Sequence, residues 1–506
     1  MNIQLKAQYF KMEYVKLRHK IARRSMQSDI RRHIDMDRLK DILIEKSYSK
    51  RIGEIAYIFR DAVEKSSVSV YSGGICFFNG QFYEQTSKEE FSDTIFDLLY
   101  DVGVDKGDIV YRGRDVVKLS ESVVRKKILN YEPYKIAFTN GVLDLRDKSF
   151  GGFSEKHHIF GAVDYGYLPY LNEDEHAYLW NKFLNDVLPD KRSRMLLQEF
   201  LGLLFIDRSE VMVDAMLFMI GRGANGKSVI FHTITGLLGA DNVSNFDISE
   251  LISSRDRLLN IAMMNGKRLN YCSDLSRKDI NSESFKSLVA GEPQPARRHF
   301  KDPFMAYDIP FIIGNGNKMP PTKDFTDGFF RKIIILPFNV RIPIEQQNRN
   351  LAYELQREYP AIFNWILRGR DRLIEQKYIF SHNPLSEKAI QEYKEDNNNI
   401  VKWTVAKGLI PEADKYEVRR WIRAQSLYTS YCVWCRQMGE VASPVRVFGE
   451  TMIDIGFLRR RFPEGQGYLV YGVADGAYEK GTILVETPPA VITRVEKVEK
   501  EFVDSK

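Results

Sequence analysis

An eight-residue stretch, GRGANGKS at positions 221–228, combines glycines with a lysine and a serine at a spacing suited to phosphate binding. It matches the pattern G-x-x-x-x-G-K-[ST]. In this pattern the glycines expose backbone N–H groups to phosphate, the lysine reaches the β and γ oxygens, and the serine ligates Mg²⁺. We therefore predict that ATP and Mg²⁺ bind here. The predicted contacts are made by Gly221, Gly223, Asn225, Gly226, Lys227 and Ser228.

The flanking residues indicate which elements would position this loop. The run Ala215–Ile220 is short and apolar, as is typical of a buried strand, and the run SVIFHTITGLL after the loop favours a helix. Phosphate binding requires the order strand, glycine loop and helix, because the N-terminus of the helix then points at the ligand. The alternative is a glycine turn without a ligand, and the flanking pattern argues against it.

Three further polar groups follow the loop at the ends of apolar runs. Asp274 closes the run RLNYCSD, where a carboxylate can hold Mg²⁺ or polarise an attacking water. Asn315 and Asn317 follow a second run, and Arg331 and Lys332 precede a third. Each has an ordinary alternative: a helix cap for the aspartate, a turn for the asparagines and a solvated charge for the cations. Their position downstream of a phosphate loop favours nucleotide hydrolysis.

Composition limits the class of protein. The 506 residues are 44% hydrophobic and 28% charged, as in an ordinary globular protein. The sequence contains no apolar stretch of the roughly 20 residues that a membrane span requires, and its N-terminus is too charged for a signal peptide. We expect a cytoplasmic protein with no membrane partner. The net charge is +6, and residues 1–60 hold 15 Lys/Arg against 7 Asp/Glu, which permits an anionic partner.

Together these segments resemble the superfamily 3 helicases, which are AAA+ motors of small viruses, phages and plasmids. The resemblance is to the phage and plasmid primase-helicase family that includes the poxvirus primase-helicase. In that family the loop, acid, basic hairpin, N-x-x-P sensor and arginine finger lie within little over a hundred residues, as residues 221–338 do here. The resemblance implies that Asn317 of NKMP is the sensor and that Arg331 is a finger completing a neighbouring subunit's site. The predicted catalytic residues are therefore Lys227, Asp274, Asn317 and Arg331, with Ser228 and Asp274 as metal ligands.

The chain departs from the family pattern in two places. Family members often carry paired acids where this chain has only Asp274, so the division between base and metal ligand stays open. No primase domain is evident in the first 125 residues or so.

Two basic segments suggest contacts with DNA. In the family, the stretch SFKSLVAGEPQPARRHFKDPF would form a hairpin that lines a central channel. FLRRRFPEGQGYLVYGV reads as strand, turn and strand, as in the wing of a winged helix. The alternatives are an exposed basic turn for the first and protein contacts for the second. The predicted DNA-binding residues are Lys286, Arg297, Arg298, His299 and Lys301 in the first segment and Arg459, Arg460 and Arg461 in the second.

The predicted fold class is α/β: an AAA+ P-loop motor domain with helical N-terminal regions and a C-terminal winged-helix domain. The predicted units are a basic α/β region of unknown role (1–125), a mostly helical helicase-associated domain (126–205), the ATPase (206–345), a helical segment (346–398), the winged helix (399–480) and a charged tail (481–506).

We predict an ATP-dependent replicative DNA helicase of a phage, plasmid or integrated mobile element, located in the host cell cytoplasm if viral. By the resemblance it forms a hexameric ring that moves 3′ to 5′ on single-stranded and forked DNA, with a primase or polymerase as a possible partner. One rival is an origin-binding initiator ATPase with little unwinding activity. Another is a P-loop phosphotransferase, which leaves the NKMP and finger segments unexplained.

Overall fold

The structure is a computed structural model. It describes residues 21, 23–45, 48–71, 74–130, 132–211, 213–273, 275, 280, 282–299, 301–322, 324, 326–411, 419–463, 465–471 and 483–484. These residues form three regions in chain order, namely an N-terminal α/β region, a central region built around a parallel sheet, and a C-terminal α/β region. The mixed α/β class predicted from the sequence is confirmed. None of the described helices is both long and apolar enough to cross a bilayer.

The N-terminal region packs helices against a small antiparallel sheet with strand order β1-β2-β3. Its elements are α1 (23–31), α2 (Met36–Glu45), α3 (Tyr48–Lys65), β1 (Ser69–Tyr71), β2 (Gly74–Phe78), β3 (Tyr83–Thr86), α4 (Lys88–Asp101) and α5 (Lys106–Val124). Ser87 and Glu90 form a capping box at the start of α4, and the Asp105 side chain caps α5. A separate hydrophobic core, which includes Phe59 and Phe91, holds these elements together.

An antiparallel sheet with three short helices after it links this region to the parallel sheet. The elements are β4 (Lys135–Phe138), β5 (Gly141–Asp144), β6 (Phe150–Gly151), α6 (Glu173–His176), α7 (Tyr178–Val187) and α8 (Lys191–Leu203). A turn at Thr139 and Asn140 joins β4 to β5, with Phe138 paired to Gly141. The range 126–205 was expected to be mostly helical, but its first half forms strands. The reason is that alternate residues of β4 are buried in different cores: Ile136 and Phe138 in one, Ala137 in another.

The central sheet has five parallel strands in the order β13-β7-β12-β9-β8. Its strands are β7 (Met216–Ile220), β8 (Val243–Ser244), β9 (Leu269–Cys272), β12 (Phe311–Gly316) and β13 (Ile333–Pro337), and a separate hairpin is formed by β10 (Gln294–Arg297) and β11 (Pro303–Ala306). The intervening helices are α9 (Lys227–Leu238), α10 (Ile248–Ile252), α11 (Arg257–Met264), α12 (Ser282–Ala290) and α13 (Asp327–Phe330). Because the strands are parallel, their carboxyl ends share one edge, where ligands of such sheets bind.

Both faces of the central sheet are covered. Leu217 and Met219 of β7 point into one hydrophobic core, whereas Met216 and Phe218 point into the other. Strands buried on both faces read as continuous apolar runs, which explains why the sequence marked these strands so clearly. The first core is closed by α14 (Leu351–Glu354) and α15 (Tyr359–Glu375) of the following segment, whereas α16 (Pro384–Asn397) packs Tyr393 into the second core.

The C-terminal region contains three helices and a four-stranded antiparallel sheet with strand order β15-β16-β14-β17. Its elements are α17 (Asn399–Ala406), β14 (Arg419–Arg423), α18 (Ala424–Met438), α19 (Val445–Asp454), β15 (Arg459–Phe462), β16 (Gly465–Tyr471) and β17 (Ile483–Leu484). Its own core includes Trp403, Tyr431 and Phe448.

Candidate functional site

The glycine loop lies where β7 meets α9, at the carboxyl edge of the central sheet. Two residues of the loop have left-handed backbone: Gly226 (φ 84°) and Ala224 (φ 65°). A Cβ atom at position 226 would lie 2.7 Å from the ring of Phe183 on α7, so only glycine fits there without displacing that helix. Helix α9 then begins at Lys227, so its first N–H groups face the loop.

The start of the loop is packed against the chain that follows β13. A Cβ atom at Gly221 would lie 2.2 Å from the carbonyl oxygen of Phe338. The Gly221 N–H donates to the Gly316 oxygen at 3.1 Å, which ties the loop to the end of β12. Gly223, by contrast, has open space where a Cβ would stand. The loop is thus held at its base and open at its tip.

Lys227 is buried, with only 6% of its surface exposed. Its ammonium group donates to the Gly221 oxygen at 2.6 Å and to Oδ1 of Asn225 at 2.8 Å. Burial lowers the pKa of the Lys227 ammonium to about 8. Both acceptors are neutral, so the positive charge is available to an anion that enters the site.

A cavity of about 930 Å³ opens beside the loop. Lys227 and Ser228 line one side of it, and the ends of β9 and β12 line another through Ser273, Asn315 and Asn317. The remaining wall is formed by α7 and by residues 340–351. A cavity of this size suits a nucleotide. The buried cation, the open loop tip and the helix N-terminus together fit a triphosphate, and the Ser228 hydroxyl fits a magnesium ligand.

The structure brings both candidate asparagines to this cavity. Asn317, which the family pattern favours, is exposed and lines it. Asn315 lines it too, but it is 9% exposed, and its Oδ1 atom has no hydrogen-bond partner among the described residues. Asn315 lies on β12, whereas Asn317 is the first residue after the strand ends at Gly316.

Asp274 lies outside the described residues, so its predicted roles stay predictions. Its two neighbours are described. Ser273 lines the cavity, and the Leu275 N–H donates to the Asn315 oxygen at 3.0 Å.

The adjacent cations Arg331 and Lys332 have different surroundings. Lys332 is 5% exposed and donates to Asp214 at 2.7 Å, which makes it part of the packed structure. Arg331 is exposed at the end of α13 and is not among the described residues that line the nucleotide-sized cavity. The role of Arg331 as a finger stays a prediction.

Helix α16 contacts the segments that carry the predicted sensor and finger, which the sequence did not indicate. The Tyr393 hydroxyl donates to the Pro320 oxygen at 2.6 Å, and Lys394 lies 4.7 Å from the ring centre of Phe330. A second cavity, of about 1210 Å³, lies between this helix and the glycine loop.

The basic hairpin predicted between acid and sensor is present as β10 and β11. Arg297 closes the strand pairing opposite Pro303, and the residues of the turn follow it. Lys286 does not belong to this hairpin. It lies on α12, where its ammonium pairs with Asp324 at 2.5 Å and donates to Thr326 at 3.2 Å. The exposed candidate DNA contacts on the hairpin are Arg297, Arg298, His299 and Lys301.

The second basic group lies on β15 in the C-terminal region. Arg459, Arg460 and Arg461 are all exposed and pair with Tyr468, Gly467 and Gln466 of β16. The Arg460 guanidinium lies 6.0 Å from the ring centre of Trp421. The strand–turn–strand arrangement predicted from the sequence is present here.

Parts of the chain match two described families. Residues 219–332, which include the glycine loop and the hairpin, match a family of unknown function, DUF5906. Residues 113–189 match a family described as D5 N terminal like. Neither match reaches half of the chain.

The chain is also similar to viral proteins. It is 26% identical to a "putative helicase" of Invertebrate iridescent virus 3 over 256 residues, which is 49% of this chain and 27% of the relative. It is 25% identical to a "putative primase" of African swine fever virus over 189 residues, 35% of this chain and 19% of the relative. The chain therefore matches about a quarter or less of the length of these relatives. The sequence matches support a relationship to viral helicases and primases.

Among solved structures, the chain is similar to the NrS-1 C terminal region. The TM-score is 0.47 at 12% identity, and the likeness covers 80% of this chain and 95% of the other.

Proposed function

We propose that this protein is an ATP-dependent DNA helicase of the superfamily 3 type, acting in replication of a virus, phage or plasmid. The observation that carries the proposal is the glycine loop, which places a buried Lys227 and the Ser228 hydroxyl on one cavity at the carboxyl edge of a parallel sheet. The relationship to viral proteins named as helicases and primases supports a role in replication.

Each residue at the loop has a separate task in the proposed reaction. Lys227 leaves its two neutral acceptors to neutralise the charge of the β and γ phosphates. Ser228 supplies a hydroxyl ligand for Mg²⁺, together with Asp274. Asn317, at the end of β12, orients the attacking water. When bound, ATP would supply the phosphoanhydride bond whose hydrolysis drives movement, and Mg²⁺ would neutralise part of the phosphate charge.

The proposed active site is completed between subunits. Arg331 is exposed and is not among the described residues that line the cavity of its own chain, which is compatible with a finger that acts on a neighbour. In a hexameric ring, each finger would stabilise the charge that develops on the phosphate of the next subunit. The exposed hairpin residues would then contact the backbone of single-stranded DNA. The AAA+ motor and the winged helix are parts of this proposal.

The proposal is tested by the ATPase rate with and without single-stranded DNA, beside mass photometry of the same samples. We expect DNA to stimulate hydrolysis and ATP to favour rings of six subunits. A monomer whose ATPase ignores DNA would instead support a phosphotransferase.

A further inference from the structure

Asn225 is a buried residue of the glycine loop that lines the nucleotide-sized cavity. Only 3% of the residue is exposed, and both ends of its amide are engaged. Oδ1 accepts from the Lys227 ammonium at 2.8 Å, and Nδ2 donates to the Phe338 oxygen at 3.1 Å. An amide can do both at once because it carries an acceptor and a donor. Asn225 thus connects the phosphate-binding lysine to the chain that follows β13.

A second hydrogen bond links the same two segments. The Ile342 N–H donates to the Ala224 oxygen at 2.8 Å. Ala224 has left-handed backbone (φ 65°), a conformation that costs a residue with a side chain about 1 kcal/mol and persists only when its surroundings hold it. The chain from 340 to 349 also forms part of the wall of the nucleotide-sized cavity. Two hydrogen bonds, one at Ala224 and one at Asn225, therefore connect the loop to this wall.

We propose that Asn225 is a positioning residue that holds Lys227 inside the loop before nucleotide binds and couples the lysine to residues 338–342 of the cavity wall. The inference rests on the proposed function, since it presumes that Lys227 moves to bind phosphate. When Lys227 turns to the phosphates, its hydrogen bond to Oδ1 of Asn225 breaks. The hydrogen bond from Asn225 to the Phe338 oxygen then transmits this change to residues 338–342. Asn225 touches no reacting atom in this account.

Asn225→Asp separates the two halves of this role. A carboxylate still accepts from Lys227, and more strongly, but it cannot donate to the Phe338 oxygen. The lysine is then held in the loop by an opposite charge. We expect KM for ATP to rise about tenfold or more, while kcat changes less than about threefold, because the residue acts on the free enzyme.

Two comparison variants separate positioning from packing. Asn245→Asp makes the same charge change at an exposed residue that follows β8 and is not among the described residues that line either cavity, and it should leave KM near that of the wild type. Asn225→Ala removes both hydrogen bonds, yet it should raise KM less than Asn225→Asp does, since nothing then retains the ammonium. A residue needed only for packing would show the reverse order, because alanine removes more contacts than aspartate.

Hydrogen exchange provides a readout that does not depend on turnover. In Asn225→Ala without nucleotide, the amides of residues 338–342 should exchange faster than in the wild type. Unchanged exchange there, or a KM of Asn225→Asp equal to that of Asn245→Asp, would overturn the inference while leaving the proposed function in place. If the wild type binds no nucleotide, both the inference and the proposed function are wrong.

Discussion

At the residue scale, the charge of Lys227 depends on pH because the ammonium is buried. Burial lowers its pKa to about 8, so the empty site loses its positive charge as the pH rises through that value. Phosphate binds the protonated form, so nucleotide affinity should fall as pH rises, by about tenfold between pH 7 and pH 9. Titration of a fluorescent nucleotide in EDTA measures this without a metal.

Lys227→Arg is the control for this prediction. Arginine stays protonated over the whole range, so the affinity of this variant should be lower but independent of pH between 7 and 9. A wild-type affinity that does not change with pH, or an equal change in the arginine variant, would assign the effect to another group.

The sequence predicted the residue types of the site better than their contacts. The spacing of Gly221, Gly226, Lys227 and Ser228 identified the loop, since the pattern is local. The contact of Asn225 with Phe338 spans 113 residues and has no local signature. For the same reason the local sequence did not show that Lys332 is buried, since its partner Asp214 is 118 positions away, and only the family resemblance distinguished Arg331 from it.

At the element scale, the parallel sheet was predictable because its strands are buried on both faces. β7 and β13 appear as apolar runs, β12 begins with the apolar residues 311–313, and α9 follows the loop at once. The sheet formed by β4, β5 and β6 lies in a range that was expected to be mostly helical. Its strands are only two to four residues long, too short for a period of two to be recognised. Lys286 was placed with the hairpin by proximity in sequence, but it lies on α12 and pairs with Asp324.

The hairpin formed by β10 and β11 allows a direct test of its proposed contact with DNA. Changing Arg297 and Arg298 to alanine should weaken binding of single-stranded DNA and stop unwinding, while DNA-independent ATPase persists. Each phosphate contact that is lost should reduce the slope of log K against log salt by about 0.7. Fluorescence anisotropy at several salt concentrations measures the slope.

A matched control is available on α8. Lys191 and Arg192 are exposed neighbours, and their replacement by alanine makes the same change in charge. That variant should keep the wild-type slope. If the slope of log K against log salt falls by the same amount in both double variants, the effect is one of overall charge. The DNA then binds at a site other than the hairpin.

At the scale of the whole molecule, the proposed role of Arg331 predicts that active sites are shared between chains. Arg331→Ala and Lys227→Ala proteins should each lack ATPase, because an arginine finger is worth about 10³–10⁵ in rate and the lysine binds the phosphates. Their mixture should regain part of the activity, since some interfaces pair an intact loop with an intact finger.

This recovery should require assembly and disappear on dilution below the assembly threshold. Mass photometry of the mixture shows whether mixed rings form. Mixed rings that are as inactive as either parent would argue against a finger acting between subunits.

The central claim is that nucleotide hydrolysis at the Lys227 loop drives separation of DNA strands. The most direct measurement is displacement of a labelled strand from a forked duplex by the wild type and by Lys227→Ala, with binding to single-stranded DNA measured on the same samples. We expect the wild type to displace the strand only with ATP and Mg²⁺, and the variant to bind DNA but displace nothing. Displacement without ATP, equal displacement by Lys227→Ala, or no displacement by assembled wild-type protein that hydrolyses ATP would contradict the account.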